Sequence, residues 1–221
     1  MTAIATNLRA VRARIGAACE RAGRSPDDVT LIAVSKGFGV EAVAEAFEAG
    51  QRDFGENRVQ EAVDKIDALA SRGIEPRWHL IGHLQTNKAK LAASRFSIVH
   101  SVDSLRLAQE LSRYAHRLPV LLEVNTAQEA SKFGFAPQEV APALSSIALI
   151  PHIEVRGLMT VAPLSDDPEA VRPVFRALRE LRDALGRKEL SMGMTNDFET
   201  AIEEGATMVR VGRAIFGERT G

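Results

Sequence analysis

Residues 29–50, VTLIAVSKGFGVEAVAEAFEAG, decide the fold of this chain. The apolar run Leu31-Ile32-Ala33-Val34-Ser35 ends on Lys36, two glycines punctuate the next three residues, and an amphipathic helical pattern occupies 40–49. A strand buried on both faces reads as a near-continuous apolar run, and the helix that follows it covers one of those faces. Residues 29–36 and 40–49 therefore predict one strand-then-helix unit.

The same alternation extends along the chain. Further strands are predicted over 53–55, 78–82, 98–102, 119–125, 155–160, 190–192 and 208–211, with helices over 56–70, 104–116, 137–144 and 168–185. Eight such units predict an α/β fold, a single (β/α)8 TIM barrel spanning residues 1–221. An open doubly wound sheet is the alternative, but it usually carries a glycine-rich phosphate turn after its first strand. Neither G-x-G-x-x-G nor a Walker A run occurs here. Ahead of the first strand, Leu8, Val11 and Ile15 share one helical face with Asn7 near its start, which adds an N-terminal helix to the barrel. Residues 1–19 hold three arginines and no acid, the composition of a transit peptide. Their pattern runs unbroken into Glu20-Arg21-Ala22-Gly23, which favours a helix of the folded domain.

Composition narrows the function. The 221 residues carry a formal net charge of -1 with 26% charged residues of both signs, which offers no footprint for nucleic acid or a membrane surface. Cys19 is the only cysteine, so no intrachain disulfide and no cysteine-based metal site is expected. With no signal-peptide pattern at the start a cytoplasmic protein is expected, and with no long exposed apolar helix face in the pattern, a monomeric one.

In a barrel, functional groups gather at the carboxyl ends of the strands, with phosphate commonly held beside strands seven and eight. Lys36 lies at the end of the first strand. Burial disfavours a lysine's charged form and yields an amine able to condense with an aldehyde. Two phosphate elements sit opposite: Ser191-Met192-Gly193-Met194-Thr195-Asn196-Asp197, and the run from Arg210 through Gly212 to Gly217. Either could instead supply only turns and caps. Two ligand classes suit a lysine facing a phosphate cradle: the phosphorylated substrate of a Schiff-base aldolase, or pyridoxal 5'-phosphate (PLP). Arg210 helps to separate them, because an inward arginine could donate to a pyridine nitrogen. Its plainer reading is an arginine paired with a carboxylate. His79, His83 and Lys88 cluster around the third strand, where His79 reads as a packed, hydrogen-bonded histidine. Glu123 and Asn125 end the fifth strand and either line the mouth or cap a turn. Lys132 reads as solvated, Tyr114 as helix packing, and Asp197 as serving the start of the helix after strand seven.

Several motifs, in order, carry a resemblance over nearly the whole chain. They are Ala33-Val34-Ser35-Lys36; Phe54-Gly55-Glu56-Asn57 with Val59-Gln60-Glu61; Trp78-His79-Leu80-Ile81-Gly82-His83-Leu84-Gln85-Thr86-Asn87-Lys88; Ser131-Lys132-Phe133-Gly134-Phe135; Gly157-Leu158-Met159; Ser191-Met192-Gly193-Met194; and Met208-Val209-Arg210-Val211-Gly212. With these the sequence resembles the pyridoxal phosphate homeostasis proteins, PLP-binding barrels related to the amino-terminal domain of bacterial alanine racemase. The resemblance implies that Lys36 forms the internal aldimine with PLP and that Asn57 lies near the ring. It implies that Met194, Thr195, Gly212 and Arg213 surround the phosphate and that Arg210 faces the pyridine nitrogen. Thr195 stands where serine is usual in the family, and Arg213 where threonine or serine is frequent.

The function implied is to hold, buffer or deliver PLP in vitamin B6 homeostasis without robust catalysis, with apo forms of PLP-dependent enzymes as recipients. Related racemases take a second acid/base from a separate β-domain, and the sequence as read stops at Gly221 soon after strand eight. The rival expectation is a PLP-dependent racemase or transaminase completed by a partner chain.

Overall fold

The computed structural model describes residues 2–127 and 133–218. Eight parallel strands close into a barrel in sequential order: β1 (Thr30–Val34), β2 (Asp53–Glu56), β3 (Arg77–Leu80), β4 (Ile98–Val102), β5 (Leu118–Glu123), β6 (Ile153–Met159), β7 (Glu189–Ser191) and β8 (Met208–Val211). Closure is made by β1 against β8, with Ile32 opposite Arg210. Around the strands run α2 (Val40–Glu48), α3 (Val59–Ala70), α4 (Ala89–Arg95), α5 (Leu105–Ser112), α6 (Val140–Ile147), α7 (Arg172–Ala184), α8 (Phe198–Glu203) and the short α9 (Arg213–Phe216), preceded by α1 (Ala3–Arg21). The barrel with its additional first helix is as the sequence predicts.

Boundaries differ where local chemistry overrides pattern. Glu56 reads as the start of a helix but closes β2 opposite Leu80, and α3 begins three residues later. The predicted helix over 168–185 opens as a 3-10 turn at Pro168–Val171, capped by Asp167, before α7 begins. The helix predicted over 104–116 stops at Ser112. Tyr114 consequently lies beyond α5 and is 39% exposed, so it does not serve as core packing.

The main core lies between strands and helices, where Phe54 packs on Trp78 at 5.8 Å between ring centroids. A smaller apolar group, Ile32, Ile98, Leu121, Met159 and Met208, fills part of the barrel interior. Gly55 is matched to it, since a Cβ there would stand 2.9 Å from Ile32 Cγ2.

Helix α1 buries Leu8, Val11 and Ile15 and packs against α8 and α9. Asn7 Nδ2 donates to the Ile215 carbonyl at 2.9 Å, and Arg14 bonds Glu199 while lying over the Phe198 ring. The first helix thus fixes the two short helices that follow β7 and β8. Among the described residues no helix is long and apolar enough to cross a membrane, and no group of three or more His, Cys, Asp or Glu is placed to hold a metal ion.

Candidate functional site

A cavity of about 410 Å³ opens at the carboxyl ends of the strands, a volume suited to a small-molecule ligand. Lys36 and Asn57 line it from the β1 and β2 side. Met194 and Thr195 line it from the loop after β7, and Arg210, Gly212 and Arg213 from β8 and beyond. The seven residues expected to contact the cofactor therefore meet at one mouth. Pro163, Leu164 and Ser165, after β6, complete the rim.

Lys36 is half-buried and stands two residues past the end of β1. The residue before it is held from several directions. The Ser35 amide donates to the Gly55 carbonyl at 3.1 Å, its hydroxyl donates to Glu56 Oε1 at 2.7 Å, and its carbonyl accepts from the Lys65 ammonium at 2.9 Å. Lys65 also pairs with Glu56, a carboxylate with no exposed surface. Sequence reading missed this pair. The available signal was a charge on an apolar stripe, since Lys65 shares the buried face of α3 with Val59, Ala62 and Leu69.

Asn57 is pressed from behind by Gly82, where a Cβ would stand 2.4 Å from the Asn57 carbonyl oxygen. Its side-chain Oδ1 is buried and has no hydrogen-bond partner among the described residues. Buried polar atoms are normally satisfied, so an orphan on a cavity wall marks a place for a ligand or water.

On the opposite wall Gly193 turns the chain at a φ of 89°, and a Cβ there would stand 2.6 Å from the Ala201 Cβ. Asp197 was expected to serve the start of the following helix. It occupies the cap position of α8, but makes no cap bond with its side chain; Oδ1 reaches back to accept from the Met194 amide at 2.5 Å. The tight glycine turn brings Met194 close enough for this. Burial raises the Asp197 carboxyl above its ordinary range, opposed by the Met194 bond and by Arg210. Arg213, half exposed, donates to Asn196 Oδ1 at 2.9 Å.

Arg210 is 4% exposed. It donates from Nη1 to Ser191 Oγ at 2.7 Å and from Nη2 to the Thr160 carbonyl at 2.8 Å, so its direct partners are a hydroxyl and a carbonyl rather than a carboxylate. Burial pushes its pKa down to about 10, against the attraction of Asp197 and Glu123.

The remaining candidates separate in space. His79 is buried and hydrogen-bonded to Asp53 and His100, as its packed reading requires. His83 is exposed and stacks on Phe133 at 3.7 Å, with Asp103 at 3.2 Å. Glu123 ends β5 with Oε2 buried and unpartnered among the described residues, and burial with the Asp103 charge raises its pKa to about 7 despite Arg210. Neither Glu123 nor Asn125 lines the cavity. Lys132 lies outside the described residues.

A closed (β/α)8 barrel with a lysine at the first strand end and arginines at the last defines the class: the chain matches the alanine racemase amino-terminal domain over residues 3–220. It is 44% identical to a pyridoxal phosphate homeostasis protein of Aquifex aeolicus, covering 96% of both chains. It is 45% identical to another from Pseudomonas aeruginosa, covering 99% of this chain and 97% of the relative. Among solved structures, PipY of Synechococcus elongatus with PLP bound superposes with a TM-score of 0.84 at 36% identity, over 97% of this chain and all of the other. The chain belongs to the pyridoxal phosphate homeostasis protein family. Both of these relatives carry that name rather than the name of an enzyme.

Proposed function

We propose that this protein binds PLP at the strand-end mouth, and holds or delivers it in vitamin B6 homeostasis without robust catalysis of its own. The observation that carries the reading is the convergence on one cavity of a half-buried amine, an unpartnered buried amide oxygen and two guanidinium groups. When bound, PLP supplies an aldehyde that amines capture and a ring able to withdraw electrons.

The residues present fit such a group. Lys36 offers the amine, on a turn that Lys65 and Glu56 hold in place. Asn57 Oδ1, without a partner among the described residues, offers an acceptor to the ring hydroxyl, the O–H donor that PLP carries. Thr195, Arg213 and the first-turn amides after Gly212 face the phosphate with a hydroxyl, a charge and N–H donors. Arg210 donates to the ring nitrogen. A guanidinium keeps its protons at physiological pH, so that nitrogen stays unprotonated and the ring a poor electron sink. That favours holding over turnover. Recipients in this reading are apo forms of PLP-dependent enzymes, and the carrier acts as a monomer.

The test is an absorbance spectrum of the purified protein with and without borohydride, followed by peptide mass analysis. The expected result is a yellow protein and a pyridoxyl group on Lys36. Protein that stays colourless in excess PLP refutes the reading, and an adduct on Lys88 or Lys132 refutes the site.

A further inference from the structure

A polar line crosses the barrel interior beside the small apolar group. Asp53, at the start of β2, is 3.0 Å from His79 Nε2; His79 Nδ1 is 3.0 Å from His100 Nε2; and His100 Nδ1 is 2.8 Å from Ser191 Oγ. Ser191 Oγ in turn accepts from Arg210 Nη1. The chain draws on β2, β3, β4, β7 and β8, and His100 lies where the β4–β5 register shifts between Val99 and Val102. A register irregularity of this kind re-aims a side chain.

The carboxylate end fixes the direction of every bond when both imidazoles are neutral. Asp53 can only accept, so His79 donates to it from Nε2 and accepts at Nδ1; His100 Nδ1 is then an acceptor for the Ser191 proton, while the serine oxygen accepts from Arg210. His100 thus carries its proton on Nε2 and donates to His79 Nδ1. The carboxylate end is suited to accept. Although burial opposes its ionisation, Asp53 is held below the ordinary carboxylate range by the bonds from His79 and Arg77. Arg77 bonds it through Nε at 2.8 Å and Nη2 at 2.6 Å. Burial first, with the neighbouring Arg210 charge, lowers His100 well below its usual value. Aligned hydrogen bonds polarise one another and rigidify what they hold.

We propose that Asp53, His79, His100 and Ser191 are positioning residues: a one-way hydrogen-bond relay, with both imidazoles neutral and protonated on Nε2, that aims Arg210 into the mouth. The relay itself is independent of any ligand; its role toward the PLP ring rests on the function proposed above.

The relay is tested by long-range proton–nitrogen NMR of 15N-labelled protein without PLP, in a His83→Gln, His116→Gln, His152→Asn background that leaves only His79 and His100. The expected pattern is a protonated Nε2 and a pyridine-like Nδ1 on both rings at pH 7. A protonated Nδ1 on either ring overturns the relay. The positioning role is tested by PLP titration of Ser191→Ala and Asp53→Asn. Loss of a hydrogen bond to a buried charge predicts roughly tenfold weaker binding for Ser191→Ala. Asp53→Asn, acting through four hydrogen bonds, should also move the absorbance maximum of the bound cofactor, which a purely structural residue would leave in place. Wild type that binds while both variants match it in affinity and spectrum overturns the positioning role alone. Wild type that binds no PLP overturns the functional reading and this role with it, whatever the nitrogen pattern.

Discussion

Replacing Lys65 by methionine should be among the most damaging single changes away from the mouth itself. The ammonium lies between Glu56 and the Ser35 carbonyl, with side-chain exposure of 9% for Lys65 and 0% for Glu56. Methionine conserves most of the stem, so packing changes little. What changes is charge: Glu56 is left as a buried carboxylate whose remaining donor is the Ser35 hydroxyl at 2.7 Å. Breaking a buried pair by deleting one partner costs about 3–5 kcal/mol, a large part of the about 5–15 kcal/mol that holds a domain together. For a chain of this size that corresponds to a fall in Tm of roughly 6–20 °C. The assay is urea unfolding at pH 7, comparing Lys65→Met with the double variant Glu56→Gln, Lys65→Met. The double variant should recover much of the loss, because it leaves no uncompensated charge. A single variant within about 1 kcal/mol of wild type, or a double variant as unstable as the single, refutes the reasoning. The same variant should slow borohydride trapping at Lys36, since Lys65 holds the carbonyl of the preceding residue.

Three further outcomes are expected. Arg213→Thr removes a half-exposed cation from the phosphate end and should weaken PLP binding by roughly two- to fivefold while leaving pyridoxal, which has no phosphate, unaffected; tighter PLP binding by isothermal titration would remove any useful role for that charge. Gly193→Ala places a Cβ 2.6 Å from the Ala201 Cβ at a φ of 89°. It should cost about 1–3 kcal/mol and weaken PLP binding through the displaced Met194 and Thr195, and a fully stable variant with unchanged affinity counts against the tight turn. Glu123 has its pKa raised in the fold from an ordinary 4.5 to about 7. The folded state therefore binds the extra proton, and stability falls as pH rises through that window. Glu123→Gln should flatten the profile and gain most above pH 7, whereas parallel wild-type and variant unfolding curves from pH 4.5 to 8 would exclude the raised value.

The sequence by itself determined the barrel and the location of its mouth. Eight apolar runs alternating with amphipathic helices admit few architectures, and strand ends can be counted along a chain. Lys36, Thr195, Arg210 and Gly212 could thus be named from their places at or shortly beyond strand ends, whereas Asn57, Met194 and Arg213 were named through the family resemblance. Glu56 was misread as helical because a helix start and a strand end both accommodate a carboxylate, and only pairing with β3 separates them. Tertiary structure alone decided what lies inside. In a parallel barrel both faces of a strand are buried, so the alternation that tells inward from outward in an exposed sheet is lost. Nothing in the run Ile98-Val99-His100-Ser101-Val102 shows that His100 will meet Ser191, 91 residues away. The partners of Asp53, Lys65 and Arg210 were likewise fixed only on closure, when β8 returned to β1 and brought separate strands around one axis.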